Sequence, residues 1–147
     1  MSNWFECKVK YEKLDQSSGK SLKVNELYLV DAITFSEAEE RIYKELEELI
    51  SGEFIVQSIA RSKIGDTYEY EAGEIWFKCK VRYVDVDEES GKEKTVNSFM
   101  IVTADTAKEA YDRIQESLKE MIIPFEIPDI TDSKIIDIFP YKPEDVK

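Results

Sequence analysis

Trp4-Phe5-Glu6-Cys7-Lys8-Val9-Lys10-Tyr11 returns 72 residues later as Trp76-Phe77-Lys78-Cys79-Lys80-Val81-Arg82-Tyr83. The match extends without a gap to Ile50, with nearly half of the positions identical. Ser18-Gly19-Lys20 faces Ser90-Gly91-Lys92, Val24-Asn25 faces Val96-Asn97, and Val30, Ala32, Thr34, Glu37, Ala38, Arg41 and Ile42 all recur. After a one-residue deletion it resumes at an offset of 71, where Ile59, Ser62, Lys63 and Ile64 face Ile130, Ser133, Lys134 and Ile135. Self-similarity of this extent means one structural unit written twice, so reading the unit once sets the architecture.

The first segment of the unit alternates. Phe5, Cys7, Val9 and Tyr11 point one way and Trp4, Glu6, Lys8 and Lys10 the other, the period of a strand. The polar stretches around Gly19 and Gly91 then form hairpin turns longer than two residues. A second strand, Val24 to Ile33 or Val96 to Thr103, is apolar on both faces, which suits the middle of a sheet. Thr34-Phe35-Ser36-Glu37 and Thr106-Ala107-Lys108-Glu109 are capping boxes that open helices. Ala38, Ile42, Leu46 and Leu49, or Ala110, Ile114, Leu118 and Met121, supply the buried stripe, and Gly52 and Pro124 end the helices. A third strand follows in each half, Phe54 to Ile64 and Ile130 to Phe139.

The fold expected is therefore α+β: an internal duplication of a ββαβ unit with pseudo-twofold symmetry, antiparallel or mixed sheets, and one helix per repeat. Right-handed crossovers place the helices together on one face of the sheet. The pattern leaves open whether the halves share a sheet. Residues 3–65 form the first repeat, 66–74 a linker, 75–140 the second repeat and 141–147 a tail. A half of about 70 residues has a marginal core, so the halves are expected to pack closely into one domain. Ile plus Val outnumber Leu by 26 to 7, in keeping with a sheet-rich chain.

Composition excludes much chemistry. The chain has 147 residues, a formal charge of −12 and no histidine. Without histidine there is no serine triad, no two-His-carboxylate iron site and none of the usual catalytic zinc sites. The acidic balance disfavours an ordinary duplex-binding module. Two cysteines cannot build a four-thiolate site and suit a reducing compartment. The start Met1-Ser2-Asn3-Trp4 has no basic or apolar leader character, and no run approaches the length of a membrane span. A cytoplasmic location is expected, with no membrane partner, no cofactor and no enzymatic activity.

Each candidate site has a plain structural counterpart. Cys7 and Cys79 are a redox or soft-metal pair on one reading and two small buried apolar residues on the other, which the absence of a Cys-x-x-Cys motif favours. Asp85, Asp87 and Glu89 resemble a calcium loop, but Gly91 falls one place late and Val96 stands where the bidentate acid belongs. A solvated hairpin tip accounts for them. Glu37, Glu39, Glu40, Glu45, Glu47 and Glu48 read as a solvated helix face. The least ordinary surface is the outward face of the two first strands, where Trp4, Lys8 and Lys10 meet their counterparts Trp76, Lys78, Lys80 and Arg82. Two indoles and five cations are a combination that binds single strands by stacking and phosphate contacts. Alternatively, the indoles cover a sheet edge or the repeat interface while lysine stems lie over apolar surface.

The repeated Trp-Phe-x-Cys-Lys-Val-x-Tyr opening, the Val-x-Ala-x-Thr-x-x-Glu-Ala run and the Ser-Lys-Ile segments resemble an uncharacterised family, domain of unknown function 4494. That resemblance spans nearly the whole chain. It implies a setting in gut bacteria and their mobile elements or phages, where nucleic-acid processing and interception of host proteins both occur. It implies no activity, cofactor or catalytic residue. The expected function is a non-enzymatic protein-interaction module that presents its acidic helices or its Trp and Lys face to a protein partner. The alternatives are single-stranded nucleic-acid binding through that face, or an acidic mimic of DNA.

Overall fold

The structure, a computed structural model, describes residues 3–141. The expected tail therefore lies, apart from Tyr141, outside the described residues. The chain order is β1 (Trp4–Leu14), β2 (Ser21–Asp31), α1 (Phe35–Leu49), β3 (Phe54–Arg61), β4 (Ile64–Tyr68), β5 (Ile75–Val86), β6 (Glu93–Ala104), α2 (Ala107–Ser117), β7 (Phe125–Asp132) and β8 (Ile135–Phe139). The duplicated ββαβ pattern is present as β1β2α1β3 and β5β6α2β7. These strands do not share a sheet. They form two four-stranded mixed sheets ordered β3-β1-β2-β8 and β4-β6-β5-β7, each with its own helix rather than both helices on one sheet.

The single third strand expected in each half is two strands. β3 ends at Arg61 and β4 begins at Ile64, and β7 and β8 are divided likewise between Asp132 and Ile135. Residues 66–68, which read as linker from the sequence, complete β4. The partners are exchanged: β4 pairs parallel with β6, and β8 pairs parallel with β2. The chain accordingly divides into two compact units, one holding the segment up to Ser62 together with the segment from Ile135, the other Lys63–Lys134.

Chain reach explains the exchange. β3 and β8 lie at opposite edges of the first sheet, so a strand following β3 would have to cross three strand spacings, about 14 Å, to take the slot beside β2. It would also have to run back the length of β3, because antiparallel pairing of β3 with β1 and of β1 with β2 makes that slot parallel to β3. Ser62 and Lys63 allow about 11 Å between Arg61 and Ile64 at full extension. The last strand of each half cannot close its own sheet.

In the first unit, Phe5, Cys7 and Val9 of β1 pack with Tyr28 and Val30 of β2, Ala38, Ile42 and Leu46 of α1, and Phe139 of β8. The second core repeats it with Phe77, Cys79, Val81, Met100, Val102, Ala110 and Ile114. Burying a large apolar side chain of this kind is worth about 1.5–3 kcal/mol, which is why the alternation in β1 and the stripe in α1 decide the layer arrangement. Thr34 and Thr106 cap the helices as read, each Oγ1 accepting from the backbone N–H three residues on at 3.1 Å. Glu109 reaches one residue past the cap, accepting from Asp105 N at 3.0 Å. Helix α2 stops at Ser117, well short of Pro124, so Leu118 is a cap and Met121 lies beyond the helix. Both hairpins turn through a glycine at positive φ, 72° at Gly19 and 71° at Gly91, which a side chain would strain.

Candidate functional site

The residues proposed from the outward face lie on β1 and β5, each an interior strand. Trp4 and Trp76 are buried, at 4% and 5% exposure, and offer no open ring to a base. Their backbone carbonyls accept from Ser62 N (2.8 Å) and Ser133 N (3.0 Å), residues that join β3 to β4 and β7 to β8. Lys8 and Lys78 are exposed, while Lys10, Lys80 and Arg82 are half-buried. In the first unit Trp4 and Lys10 stand six residues apart on one strand, roughly 20 Å, so they are not neighbours. In the second, Lys78 Nζ lies 5.2 Å from the centre of the Phe99 ring, and Arg82 pairs with Glu126 at 3.4 Å. The cations are distributed along the strands rather than gathered about the indoles.

Lys10 and Arg82 instead help line a cleft that occurs once in each unit. Lys10, Tyr11, Lys23, Gly52, Phe54 and Ile55 border a space of about 550 Å³. Arg82, Tyr83, Thr95, Ile123, Phe125 and Glu126 border one of about 430 Å³ at the equivalent place. The two differ at two cross-strand pairs, one of them Glu12 facing Lys23 where the second cleft has Val84 facing Thr95. At the other, Arg82 faces Glu126, whereas Lys10 faces Ile55. Each cleft has apolar side chains open to solvent, Ile55 at 63% exposure in the first and Val84 at 45% and Ile123 at 43% in the second. Tyr11, in the first cleft, has its hydroxyl pKa raised by burial and by the neighbouring Glu26 carboxylate.

A second groove, of about 340 Å³, runs between α1 and β3 in the first unit, lined by Phe35, Ser36, Glu39, Val56, Gln57, Ser58 and Ile59. Phe35 is half exposed, and its ring meets Phe5 edge-on at 4.9 Å. Gln57 is the extra residue of a bulge, since Lys8 pairs with Ser58 and Val9 with Val56.

The remaining candidates are structural. Cys7 and Cys79 are free and buried, and desolvation pushes both thiols from 9.0 up to about 12, the opposite of what a nucleophile or metal ligand needs. Asp15 and Asp87 build the two hairpin turns. Asp15 accepts from Ser17 N and Ser18 Oγ at 3.1 and 2.8 Å, and Asp87 accepts from Glu89 N at 3.0 Å. These bonds hold both carboxyls below the usual range. Among the described residues no group of three or more Cys, Asp or Glu is placed to hold a metal. No helix among them is long and apolar enough to cross a membrane.

Sequence reasoning missed the role of Arg41 and Arg113. Arg41 donates to the backbone carbonyls of Asp31, Phe139 (3.4 Å) and Pro140 (3.2 Å), and its guanidinium sits 4.6 Å from the Tyr141 ring centre. Arg113 donates to Ala72 O and to Thr103 O (2.6 Å), with the Tyr70 ring 5.0 Å away. Each arginine thus clasps the end of its sheet's second strand to the segment that follows the exchanged strand. The recurrence of Arg41 as Arg113, and of Tyr70 as Tyr141 at the offset of 71, was the available signal.

Fold and site together define a duplicated α+β protein of two four-stranded mixed sheets with one helix each, carrying paired surface clefts. The chain belongs to the family described as "Domain of unknown function (DUF4494)", whose model matches residues 3–141. No curated protein and no solved structure matches it.

Proposed function

We propose that this protein is a non-enzymatic protein-interaction module. The observation that carries the reading is the cleft present in both units, lined by the aromatic pair Tyr11 and Phe54 or Tyr83 and Phe125 together with solvent-open aliphatic side chains, Ile55 in the first and Val84 and Ile123 in the second. A concave site lined by aromatic and aliphatic side chains with a few polar groups is where binding partners seat. The chemistry of the described residues points the same way. The thiols are held protonated, and the acids with lowered pKa values are engaged in turns.

The test places a photo-crosslinking phenylalanine analogue at Ile55 or Ile123, with Glu47 on the exposed helix face as control, in cells that carry the protein. A discrete protein adduct from the cleft positions, absent from the control and reproduced with the purified partner, is the expected result. Adducts of equal pattern from all three positions, or none from the clefts, would refute the proposal.

A further inference from the structure

The two outer strands that follow the helices are equivalent in position but not in chemistry. β3 (Phe54-Ile-Val-Gln-Ser-Ile-Ala-Arg61) and β7 (Phe125-Glu-Ile-Pro-Asp-Ile-Thr-Asp132) each pair on one side only, with β1 and β5. Each carries a bulge at the same place. β7 is defended as edge strands usually are: Pro128 removes an N–H, and Glu126, Asp129 and Asp132 add charge. β3 has Gln57 where β7 has Pro128, Ile55 where it has Glu126 and Ser58 where it has Asp129, so it is uncharged until Arg61. The helix side differs too, with Phe35 and Glu39 in the first unit where the second has Ala107 and Tyr111. The first unit thus sets an uncharged edge beside a groove of mixed lining, in which Phe35, Val56 and Ile59 are the apolar part, and β7 offers no such edge.

Resting on the interaction-module reading, we infer that the β3 edge and the α1–β3 groove bind an extended, basic and apolar peptide segment of a partner protein as a fifth strand. Alternate backbone N–H and C=O groups of β3 point away from the sheet and supply the main-chain ladder. Apolar side chains of the segment fill the groove over Phe35, Val56 and Ile59. Charge selects the occupant. Helix α1 carries six glutamates against Arg41 and Lys44, and Glu39 lines the groove itself, while Arg61 at the end of β3 is the one cation set against the groove, 5.5 Å from the Phe35 ring centre, among the described residues. A second copy of this chain paired edge to edge would bring another acidic α1 alongside the first, whereas a segment bearing Lys or Arg is attracted.

The experiment titrates the full chain with a capped heptapeptide of alternating Lys and Val, and with its Glu and Val counterpart, by amide NMR at about 50 mM salt, where charge attraction is little screened. The Lys peptide is expected to bind, with shifts and slowed exchange centred on β3, and the Glu peptide not to bind. Gln57→Pro copies the residue that β7 accepts at the same bulge, and should weaken binding at least about tenfold. Glu39→Lys, on the exposed helix face, should weaken the Lys peptide and admit the Glu peptide. Equal binding to wild type and Gln57→Pro, shifts centred elsewhere, or no binding at millimolar peptide overturns the inference. So does a dimer of the chain that Gln57→Pro dissolves, since that makes the occupant a second copy. A partner crosslinked from Ile55 or Ile123 that still binds Gln57→Pro overturns this edge alone and leaves the interaction-module reading standing.

Discussion

Replacing Phe139 by Ala separates the exchanged topology from one in which each half closes its own sheet. Phe139 follows the second repeat in sequence, yet its ring is 8% exposed within the first core and stacks 5.8 Å from Tyr28. Truncating a buried Phe costs about 3–5 kcal/mol. Residual exposure and the edge position of β8 place this site at the low end, about 3 kcal/mol. At about 1.4 kcal/mol per tenfold, amides that exchange by opening of the first unit should exchange about a hundredfold faster. The assay is native-state hydrogen exchange, comparing Cys7 and Val30 in the first unit with Cys79 and Val102 in the second. The acceleration is expected at Cys7 and Val30. Tyr68 is the equivalent residue of β4 and pairs with Val102, so Tyr68→Ala should reverse the pattern. Acceleration at Cys79 and Val102 by Phe139→Ala, with Cys7 and Val30 unchanged, would refute the exchange of strands.

Thr34→Ala and Thr106→Ala should each destabilise the protein by about 0.5–2 kcal/mol in denaturant unfolding, and Asp at either position should retain most of the cap. Because burial raises both thiols from 9.0 to about 12, neither should react with a thiol reagent at pH 8 until denaturant is added. The same shift makes a pH prediction. The unfolded thiols ionise first, so the stabilisation is complete below pH 9 and is lost progressively as pH rises through about 12. Unfolding midpoints of a Cys7→Ala, Cys79→Ala double variant should therefore fall less over that range than those of wild type.

Much of each unit was legible because its causes are local. Alternation in Trp4–Tyr11 assigned Phe5, Cys7 and Val9 to one face, and they line a core. The capping boxes placed both helix starts because an N-cap bond spans three residues. The end of α2 was misplaced because Leu118 to Met121 are themselves helix formers and carry no stop signal, yet the helix closes at Ser117. The candidate face was legible as a face only: a period of two says which side chains share a side, not whether that side meets solvent, and Trp4 and Trp76 are buried. The clefts and the α1–β3 groove required neighbouring elements at known register, which one strand's pattern does not contain.

What the sequence by itself determined is the unit and its duplication, since a repeat carries the same local preferences to the same places. The tertiary structure alone decided how the units are completed. Ile64 and Ile135 look like continuations of the strands before them, and nothing local distinguishes that from a new strand paired elsewhere. The choice comes from a two-residue connection measured against a sheet several strands wide. Ser62-Lys63 and Ser133-Lys134 are too short to carry the chain back to the open slot of its own sheet. Each half's last strand therefore pairs where it can reach, beside the second strand of the other half.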